Sequence, residues 1–591
     1  MDRGACNMDG GTTPHTSRPT PHAILQGLLA DRNFLVVLLV WALCWLSFGV
    51  FLKKFSTPLP WRDEWELIPV ATGTEPLTLQ WFFQPANEHR VPLTRVEVLV
   101  LGRLFDWDLR YLHYHNLTLI ALGALALVLA VRSVRGRSEL CDVFLCLLVL
   151  SPWQFETVFM YCQSYAMALG MLCFAISAAF TGQPLRSLWH LGCYFGLLLL
   201  ITSSGGPAGN IWALGLSGIV LRGWLLQKPC SWKIGSLVGM GIVGAVSGLM
   251  LLWIPEVGHH AQFRATSIRN FLGATARFTV AWLGSPVETL WPWIFLVVLV
   301  PVLYLLAKMI SDQCRKTWID LLIPFAGMLG VAAIMGYGRG HYPCLHESRF
   351  CTLLLPIGLM GYLLLVRLRA RRILPVALAF VMTLSVGWNW PIVVFTGRGV
   401  HDRIAAAVAA LKDGSVPLTI WANRYGDAVG WDQRKNRLVE YLVQLRTARQ
   451  SVFKKGIKEA GSGMSWSTTL EAECGKLMGN IQNVYDPEAT GDHVLKAISA
   501  TGGAGIASYE VQAPATGCYS LCCRIDPQQE DQVLNLQIDD GPILATHISS
   551  AKDYSPYILG PFDMTAGKHA LHLTIPNPGL KLDFLELIPA R

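Results

Sequence analysis

Long apolar runs constrain the fold of this 591-residue chain more than any other sequence feature. They recur from Asn33 to Phe395, and none follows. An α-helix needs about 20 apolar residues to cross the hydrocarbon core of a bilayer, which is the length of these runs. Only 15% of the residues are charged, against about 25% in an average soluble protein. The sequence therefore predicts a polytopic α-helical membrane domain and a soluble C-terminal region.

The apolar pattern predicts about eleven transmembrane helices. A further apolar stretch, Val96–Phe105, is too short to cross a bilayer, and we expect it to form an interfacial helix. The predicted spans cover about residues 33–52, 113–132, 139–155, 160–180, 187–203, 208–226, 234–254, 289–309, 318–336, 350–367 and 373–396.

Basic residues predict the orientation of these spans, because they accumulate in cytoplasmic loops. In this chain they fall on one side of the predicted membrane: Arg132, Arg135, Arg137, Arg186, Arg222, Lys228, Lys308, Arg315, Lys316 and the R-L-R-A-R-R run at 367–372. The N-terminus is then cytoplasmic. The C-terminal region and the loops Thr57–Arg90 and Gly336–Phe350 are extracytoplasmic. The same pattern explains the net charge of +8 without a nucleic-acid partner.

The chain divides into four predicted segments. Residues 1–32 are polar and rich in Gly, Thr and Pro, which is typical of a disordered cytoplasmic tail. Residues 33–396 form the membrane domain. Residues 397–460 predict an extracytoplasmic connector of two amphipathic helices around V-P-L-T-I-W-A, which favours a short strand. In residues 461–591, short alternating runs separated by Gly, Pro, Asn and Asp predict an all-β sandwich.

The first extracytoplasmic loop carries the strongest candidates for catalysis. Its W-R-D-E-W-E segment holds Asp63 and Glu64 beside tryptophans. A carboxylate at a membrane face can deprotonate an acceptor hydroxyl, or hold a divalent cation such as Mg or Mn on a phosphate. A solvated loop with tryptophans at headgroup level is the alternative interpretation.

The same loop ends in N-E-H-R, where Glu88 can bind a metal or accept a proton. His89 and Arg90 can bind phosphate oxygens. A helix N-cap formed by Asn87 or Glu88 accounts for part of this motif without any chemistry.

A late extracytoplasmic loop, G-Y-G-R-G-H-Y-P-C-L-H-E-S-R-F, supplies basic groups on the same face. Arg339, His341 and Arg349 are candidates for binding a lipid phosphate, because arginine near a membrane is costly unless it is paired. Arginines that extend to the interface are the alternative. Weaker candidates for substrate contacts are Glu156, Tyr161 and Gln163.

This order of features resembles the GT-C superfamily of integral membrane glycosyltransferases, particularly bacterial members. The similarity covers about residues 33–400 and includes the late G-R…S-R segment, with Phe350 where Tyr is usual. The resemblance implies a multi-pass protein of the bacterial inner membrane with a polyprenyl-phosphate sugar as donor. It also implies Asp63 as the general base of an inverting transfer to an extracytoplasmic glycan, lipid or protein acceptor. No glycine-rich phosphate loop for a soluble nucleotide sugar is found in the sequence.

The C-terminal region resembles calcium-binding jelly-roll carbohydrate-binding modules. The similarity lies in L-E-A-E, in D-P-E-A-T-G-D-H-V and in the closing L-D-F-L-E-L. It implies Glu471, Glu473 and Asp583 as ligands of a structural calcium, for which oxygen donors are suited. Asp492 replaces a glycine that is common in one turn of these modules. A purely structural role for the sandwich is an equal alternative to sugar binding.

A transporter or flippase of lipid-linked sugars is the alternative function. Transporters tend to place ionisable residues or broken helices near the middle of the membrane. In this sequence the charges lie in loops and most predicted spans carry none, which favours the enzyme. A non-catalytic sensor is a further alternative, and it would tolerate loss of Asp63.

Overall fold

The computed structural model describes residues 30–590 apart from a set of gaps, and the statements below refer to the described residues. The gaps are 86–89, 160–164, 253–262, 288–289, 297–302, 304–306, 308–318, 342–347, 369–371, 414–415, 417, 431–434, 449, 454–467, 472–475, 480, 486–492, 498–503, 514, 528–531, 550–553 and 577–579.

The N-terminal two thirds of the chain is helical, as its apolar pattern predicts. Its helices are α1 Arg32–Phe55, α2 Ile68–Thr72, α3 Leu79–Phe83, α4 Pro92–Leu104, α5 Arg110–Arg135, α6 Val143–Val149, α7 Phe155–Phe159, α8 Tyr165–Thr181, α9 Leu188–Ser204, α10 Gly206–Leu216, α11 Ile219–Leu225, α12 Cys230–Leu252, α13 Ile268–Val280, α14 Ile319–Gly338, α15 Ser348–Arg367 and α16 Ile373–Asp413. Two further helices follow, α17 Leu418–Tyr425 and α18 Lys435–Thr447.

Six helical segments of the described residues are long and apolar enough to cross a membrane, with Leu140–Phe159, which contains α6 and α7, counted as one of them. The predicted count of eleven is therefore not confirmed. Tyr165–Thr181, Leu188–Ser204 and Leu322–Gly338 are apolar but shorter. The predicted span at 208–226 consists of two helices, α10 and α11, which are separated by a turn at Ser217 and Gly218. Most of the predicted span at 289–309 lies outside the described residues.

Glycines allow two helices of the membrane domain to pack at close range. A Cβ atom at Gly123 of α5 would lie 2.9 Å from the Cβ of Cys173 in α8. One at Gly170 would lie 3.0 Å from the Leu119 carbonyl oxygen. Small residues bring helix backbones together in membranes because attraction between helices there depends on van der Waals contact.

The end of the membrane domain differs from the prediction. The last predicted span and the first connector helix form one helix of 41 residues, α16. The V-P-L-T-I-W-A segment is not a strand, because Leu418 begins helix α17 there. Helical spacing places Leu418 and Trp421 in one buried cluster, and the Trp421 indole donates to the Ala407 carbonyl at 2.8 Å.

The connector packs on the first loop. Leu59, Trp65 and Ile68 of that loop share a buried cluster with α16, α17 and α18. The Ser451 hydroxyl donates to the Pro58 carbonyl at 2.7 Å. The N-terminal part of the candidate catalytic loop therefore packs against residues that come more than 300 positions later in the sequence.

The C-terminal region is an antiparallel β-sandwich, as the sequence predicts. One sheet has the order β3-β4-β11-β6-β9, with β1 also paired to β11, and the other has the order β2-β5-β10-β7-β8. Leucine, isoleucine and tyrosine side chains from both sheets form the core. The strands are β1 Thr468–Glu471, β2 Lys476–Met478, β3 Ile481–Tyr485, β4 His493–Ala497, β5 Gly505–Ala513, β6 Gly517–Pro527, β7 Gln532–Ile538, β8 Leu544–Ile548, β9 Ser555–Met564, β10 Gly567–Ile575 and β11 Leu580–Pro589.

Glu586 docks the sandwich on the connector. Its side chain is 1% exposed, and its Oε2 accepts the Leu418 backbone N–H at 2.7 Å. Arg446 lies 3.7 Å from its other carboxylate oxygen. We expect Glu586→Gln to weaken this docking by about 1–3 kcal/mol, because the buried contact loses its charge and gains an unmatched amide N–H.

Protection of the connector against limited proteolysis measures this effect. Glu510→Gln, at an exposed position of β5, is the matched control. Equal cleavage rates in the two variants would show that Glu586 does not hold the sandwich in place.

His569 and Asp539 make the sandwich sensitive to pH. Their Nδ1 and Oδ2 atoms are 2.7 Å apart. This hydrogen bond raises the pKa of His569, and donation by the Ala570 N–H and by His569 lowers the pKa of Asp539. The stabilisation is complete between the ordinary values of 3.8 and 6.5. It is lost as the pH rises through the raised pKa of His569 or falls through the lowered pKa of Asp539.

We therefore expect amide protection in Gly567–Ile575 to fall as the pH rises above about 6.5 and through the raised pKa of His569. Hydrogen exchange measured by mass spectrometry checks this result. In Asp539→Asn the fall should disappear; the same pH dependence in both proteins would contradict the assignment.

Candidate functional site

A short 3-10 helix, Arg62–Leu67, positions the predicted catalytic carboxylates. Glu64 folds back on the start of this helix, where its Oε2 accepts the Trp61 backbone N–H at 2.8 Å. The Arg62 backbone N–H donates to the Val429 carbonyl in the connector, also at 2.8 Å. Arg62 adopts a φ of +56°, which is uncommon for a residue with a side chain. The connector thus fixes an unusual backbone turn immediately before Asp63.

A partly open pocket lies next to this helix. Most of its wall is apolar and aromatic, and its polar groups come from the first loop and from α5. The lining residues are Phe55, Thr57, Leu59, Trp61, Glu64, His113, Phe155, Phe159, Gly397, Val400 and Ile404. Four segments far apart in sequence therefore build one cavity at the junction of the membrane domain and the connector.

The structure separates the two predicted catalytic residues. Glu64 is buried, 2% exposed, and lines the pocket. Asp63 is half-buried and is not among the lining residues. Of the two, Glu64 is therefore the carboxylate placed to meet a molecule in this pocket.

The structure brings Glu156, a weaker sequence candidate, to the same region. Its carboxylate lies 3.6 Å from the Arg62 guanidinium, which also stacks over the Trp61 ring at 4.5 Å. The helix that carries Glu156 begins after a break at Pro152. The Gln154 amide donates to the carbonyls of Leu148 and Val149 at 3.1 and 2.8 Å, which satisfies backbone groups that the break releases.

The late S-R-F motif reaches this region through its helix. The Thr352 and Thr157 hydroxyls are 2.7 Å apart, and the Trp153 indole donates to the Cys351 sulfur at 3.0 Å. The first turn of α15, which includes Arg349, therefore lies beside the helix of Glu156.

Arg339 and His341 contact a different segment. The His341 Nε2 lies 2.9 Å from the Thr266 hydroxyl and 3.2 Å from the Asn270 amide. Arg339 lies over the Phe263 ring. Neither residue lines the pocket, so the structure groups them with the start of α13.

Of the N-E-H-R motif, Arg90 lies within the described residues, and it donates to the Phe83 carbonyl. Glu88, His89, Tyr161 and Gln163 lie outside the described residues. Their predicted roles stay predictions.

His113 is not among the site residues that the sequence pattern predicts. This residue of α5 lines the pocket with 3% exposure, and its ring lies 5.1 Å from that of Phe159. The available signal was a histidine at the start of a predicted span, because polar residues within membrane segments mark functional positions more often than chance.

The predicted calcium ligands are only partly described. Asp583 is fully buried in β11, where its carboxylate accepts a hydrogen bond from Arg524 of β6. Glu471 lies opposite Phe584 in the paired strand β1, and Glu473 falls outside the described residues. No group of three potential metal-binding side chains occurs in the described part of the chain. The calcium site and a divalent cation at the pocket both stay predictions.

No protein-family model matches the chain, and no curated protein matches it. Among solved structures, it is similar to the Podospora anserina GH26-CBM35 β-(1,4)-mannanase, at 17% identity and a TM-score of 0.20, over 21% of this chain and 28% of the mannanase. It is also similar to the C-terminal CBM6 of LamC from Zobellia galactanivorans, at 15% identity and a TM-score of 0.18, over 21% of this chain and 99% of that module. A family 35 carbohydrate binding module from Clostridium thermocellum shares 16% identity, with a TM-score of 0.19 and coverage of 21% and 99%. These values do not assign the chain to a family.

Proposed function

We propose that this protein is a membrane glycosyltransferase that moves a sugar from a polyprenyl-phosphate donor to an extracytoplasmic glycan, lipid or protein acceptor. The observation that carries the proposal is the pocket beside the 3-10 helix. It joins a buried carboxylate to apolar and aromatic walls, at the junction where the helices of the membrane domain meet the connector. A lipid-linked sugar is amphipathic in the same way.

The reaction follows from these groups. An acceptor hydroxyl in the pocket attacks the anomeric carbon of the donor sugar, and the bond from that carbon to the phosphate oxygen breaks. The hydroxyl proton passes to a carboxylate of the first loop, and the leaving polyprenyl phosphate takes the electron pair. The pocket geometry favours Glu64 as this base, whereas the family resemblance favours Asp63.

Arg62 is suited to stabilise the leaving phosphate. Its guanidinium is partly exposed and lies 3.6 Å from Glu156 at the edge of the site. Preorganised donors aimed at developing charge are among the largest contributions to catalysis. On the basis of its sequence motif, Arg349 is a second candidate for this role.

The β-sandwich could hold an acceptor glycan near this site, and we propose sugar binding as its role on the basis of its sequence motifs. Glu586 fixes the sandwich to the connector, and the connector packs on the first loop. A glycan bound to the sandwich would then be tethered to the domain that transfers sugar, which raises its effective concentration.

Sugar transfer by the purified full-length protein in lipid nanodiscs tests the proposal. The substrates are synthetic polyprenyl-phosphate sugars and the corresponding nucleotide sugars, and release of each donor's own leaving group, polyprenyl phosphate or nucleotide, is measured. We expect release only from the lipid-linked donors. Asp402→Asn, an exposed carboxylate of α16, is expected to retain full activity. Movement of intact donors across the bilayer without release would instead support the transporter.

A further inference from the structure

His113 is a buried polar residue that faces the pocket without a well-formed hydrogen bond. Within the part of the chain that the structure describes, neither ring nitrogen has a hydrogen-bond partner of normal geometry, although the Phe159 carbonyl lies close enough to interact with the ring. Buried ring nitrogens are normally paired. A ligand that brings its own hydrogen-bonding group would satisfy this imidazole.

The other polar groups of the pocket restrict the chemistry of that ligand. Glu64 is an acceptor when ionised, and it would repel a phosphate placed beside it. A hydroxyl can donate to Glu64 and still exchange a hydrogen bond with the imidazole. Aromatic walls from Trp61, Phe155 and Phe159 suit the C–H faces of a sugar ring.

We infer that His113 is a specificity-determining residue that hydrogen-bonds a hydroxyl group of a sugar or alkyl glycoside in the pocket it shares with Glu64. The pocket takes the neutral, hydroxyl-bearing part of a substrate, and the phosphate lies outside it. The inference shares its pocket with the proposed function, and it concerns binding rather than transfer.

Equilibrium binding to the full chain in lipid nanodiscs tests the inference. The probes are butyl glycosides of glucose, galactose and mannose, with butyl phosphate as the charged comparison. We expect at least one glycoside to bind and butyl phosphate to bind more weakly. His113→Phe should weaken glycoside binding by about tenfold, the value of one hydrogen bond, whereas His113→Gln should retain most of it.

Thermal unfolding of each variant separates a binding defect from misfolding, and His113→Leu replaces His113→Phe if the latter does not fold. Unchanged glycoside binding in both apolar variants, preference for butyl phosphate, or no binding of any glycoside to the wild type would overturn the inference. Glycoside binding that depends on His113, without sugar release from any polyprenyl-phosphate donor, would sustain this inference and overturn the proposed function.

Discussion

Glu64→Gln is expected to lower the rate of sugar transfer by about 10²–10⁴-fold, the range typical of a lost general base. Glutamine has the same shape and can still accept the Trp61 N–H, so the 3-10 helix should persist. It cannot take the proton from an acceptor hydroxyl. Turnover of a polyprenyl-phosphate sugar at saturating donor measures the loss.

Asp63→Asn is the matched comparison, because the two carboxylates are adjacent in the chain and differ in their access to the pocket. If Glu64 is the base, we expect a smaller loss in Asp63→Asn than in Glu64→Gln. A larger loss in Asp63→Asn would return the role to Asp63, as the family resemblance implies. Full activity in both variants would show that neither Asp63 nor Glu64 is the general base.

Asp142→Asn is expected to reduce the free energy of unfolding by about 2–3 kcal/mol, because a buried carboxylate that accepts hydrogen bonds from Arg135 and Tyr362 becomes a neutral amide with an unmatched N–H. Asp142 is fully buried. It accepts hydrogen bonds from Arg135 at 2.9 and 3.0 Å and from the Tyr362 hydroxyl at 2.6 Å. These contacts tie α5 and α15 to the start of α6. Chemical unfolding in mixed micelles measures the change.

Glu139→Gln provides the control, since it makes the same chemical change three residues away. Glu139 lies 3.6–4.0 Å from Arg135, Arg137 and Arg372, and its side chain is more exposed, at 21%. Ion pairs of this kind contribute about 0–1 kcal/mol. Equal destabilisation by the two substitutions would contradict the central role of Asp142.

The basic residues that predict the cytoplasmic side of the membrane illustrate how a single sequence signal can have two roles. Arg132 and Arg135 predict the orientation of the chain. In the structure, Arg132 also pairs with Asp31 at 3.2 Å and Arg135 with Asp142. Charge counts along the sequence indicate a side of the membrane, but they do not identify the partner that makes an arginine structural.

Local patterns accounted for the helical membrane domain and the β-sandwich, because a period of 3.6 or 2 in apolar residues reports which face an element buries. The predicted count of eleven spans is not confirmed, and one predicted span consists of two helices, α10 and α11, with a turn at Ser217 and Gly218 between them. These patterns also predicted a span and a separate connector helix where the structure has one helix, α16, because an apolar segment can continue directly into an amphipathic one.

For the candidate site, the sequence by itself determined the first loop, with Asp63 and Glu64, and Glu156 as a weaker candidate. These residues were recognisable because charged groups stand out among apolar neighbours. Only the tertiary structure decided that Glu64 rather than Asp63 meets the pocket, that Arg62 pairs with Glu156, and that His113 completes the lining. The physical reason is that the pocket is formed by side chains separated by up to several hundred positions, and no local pattern records which of them pack together.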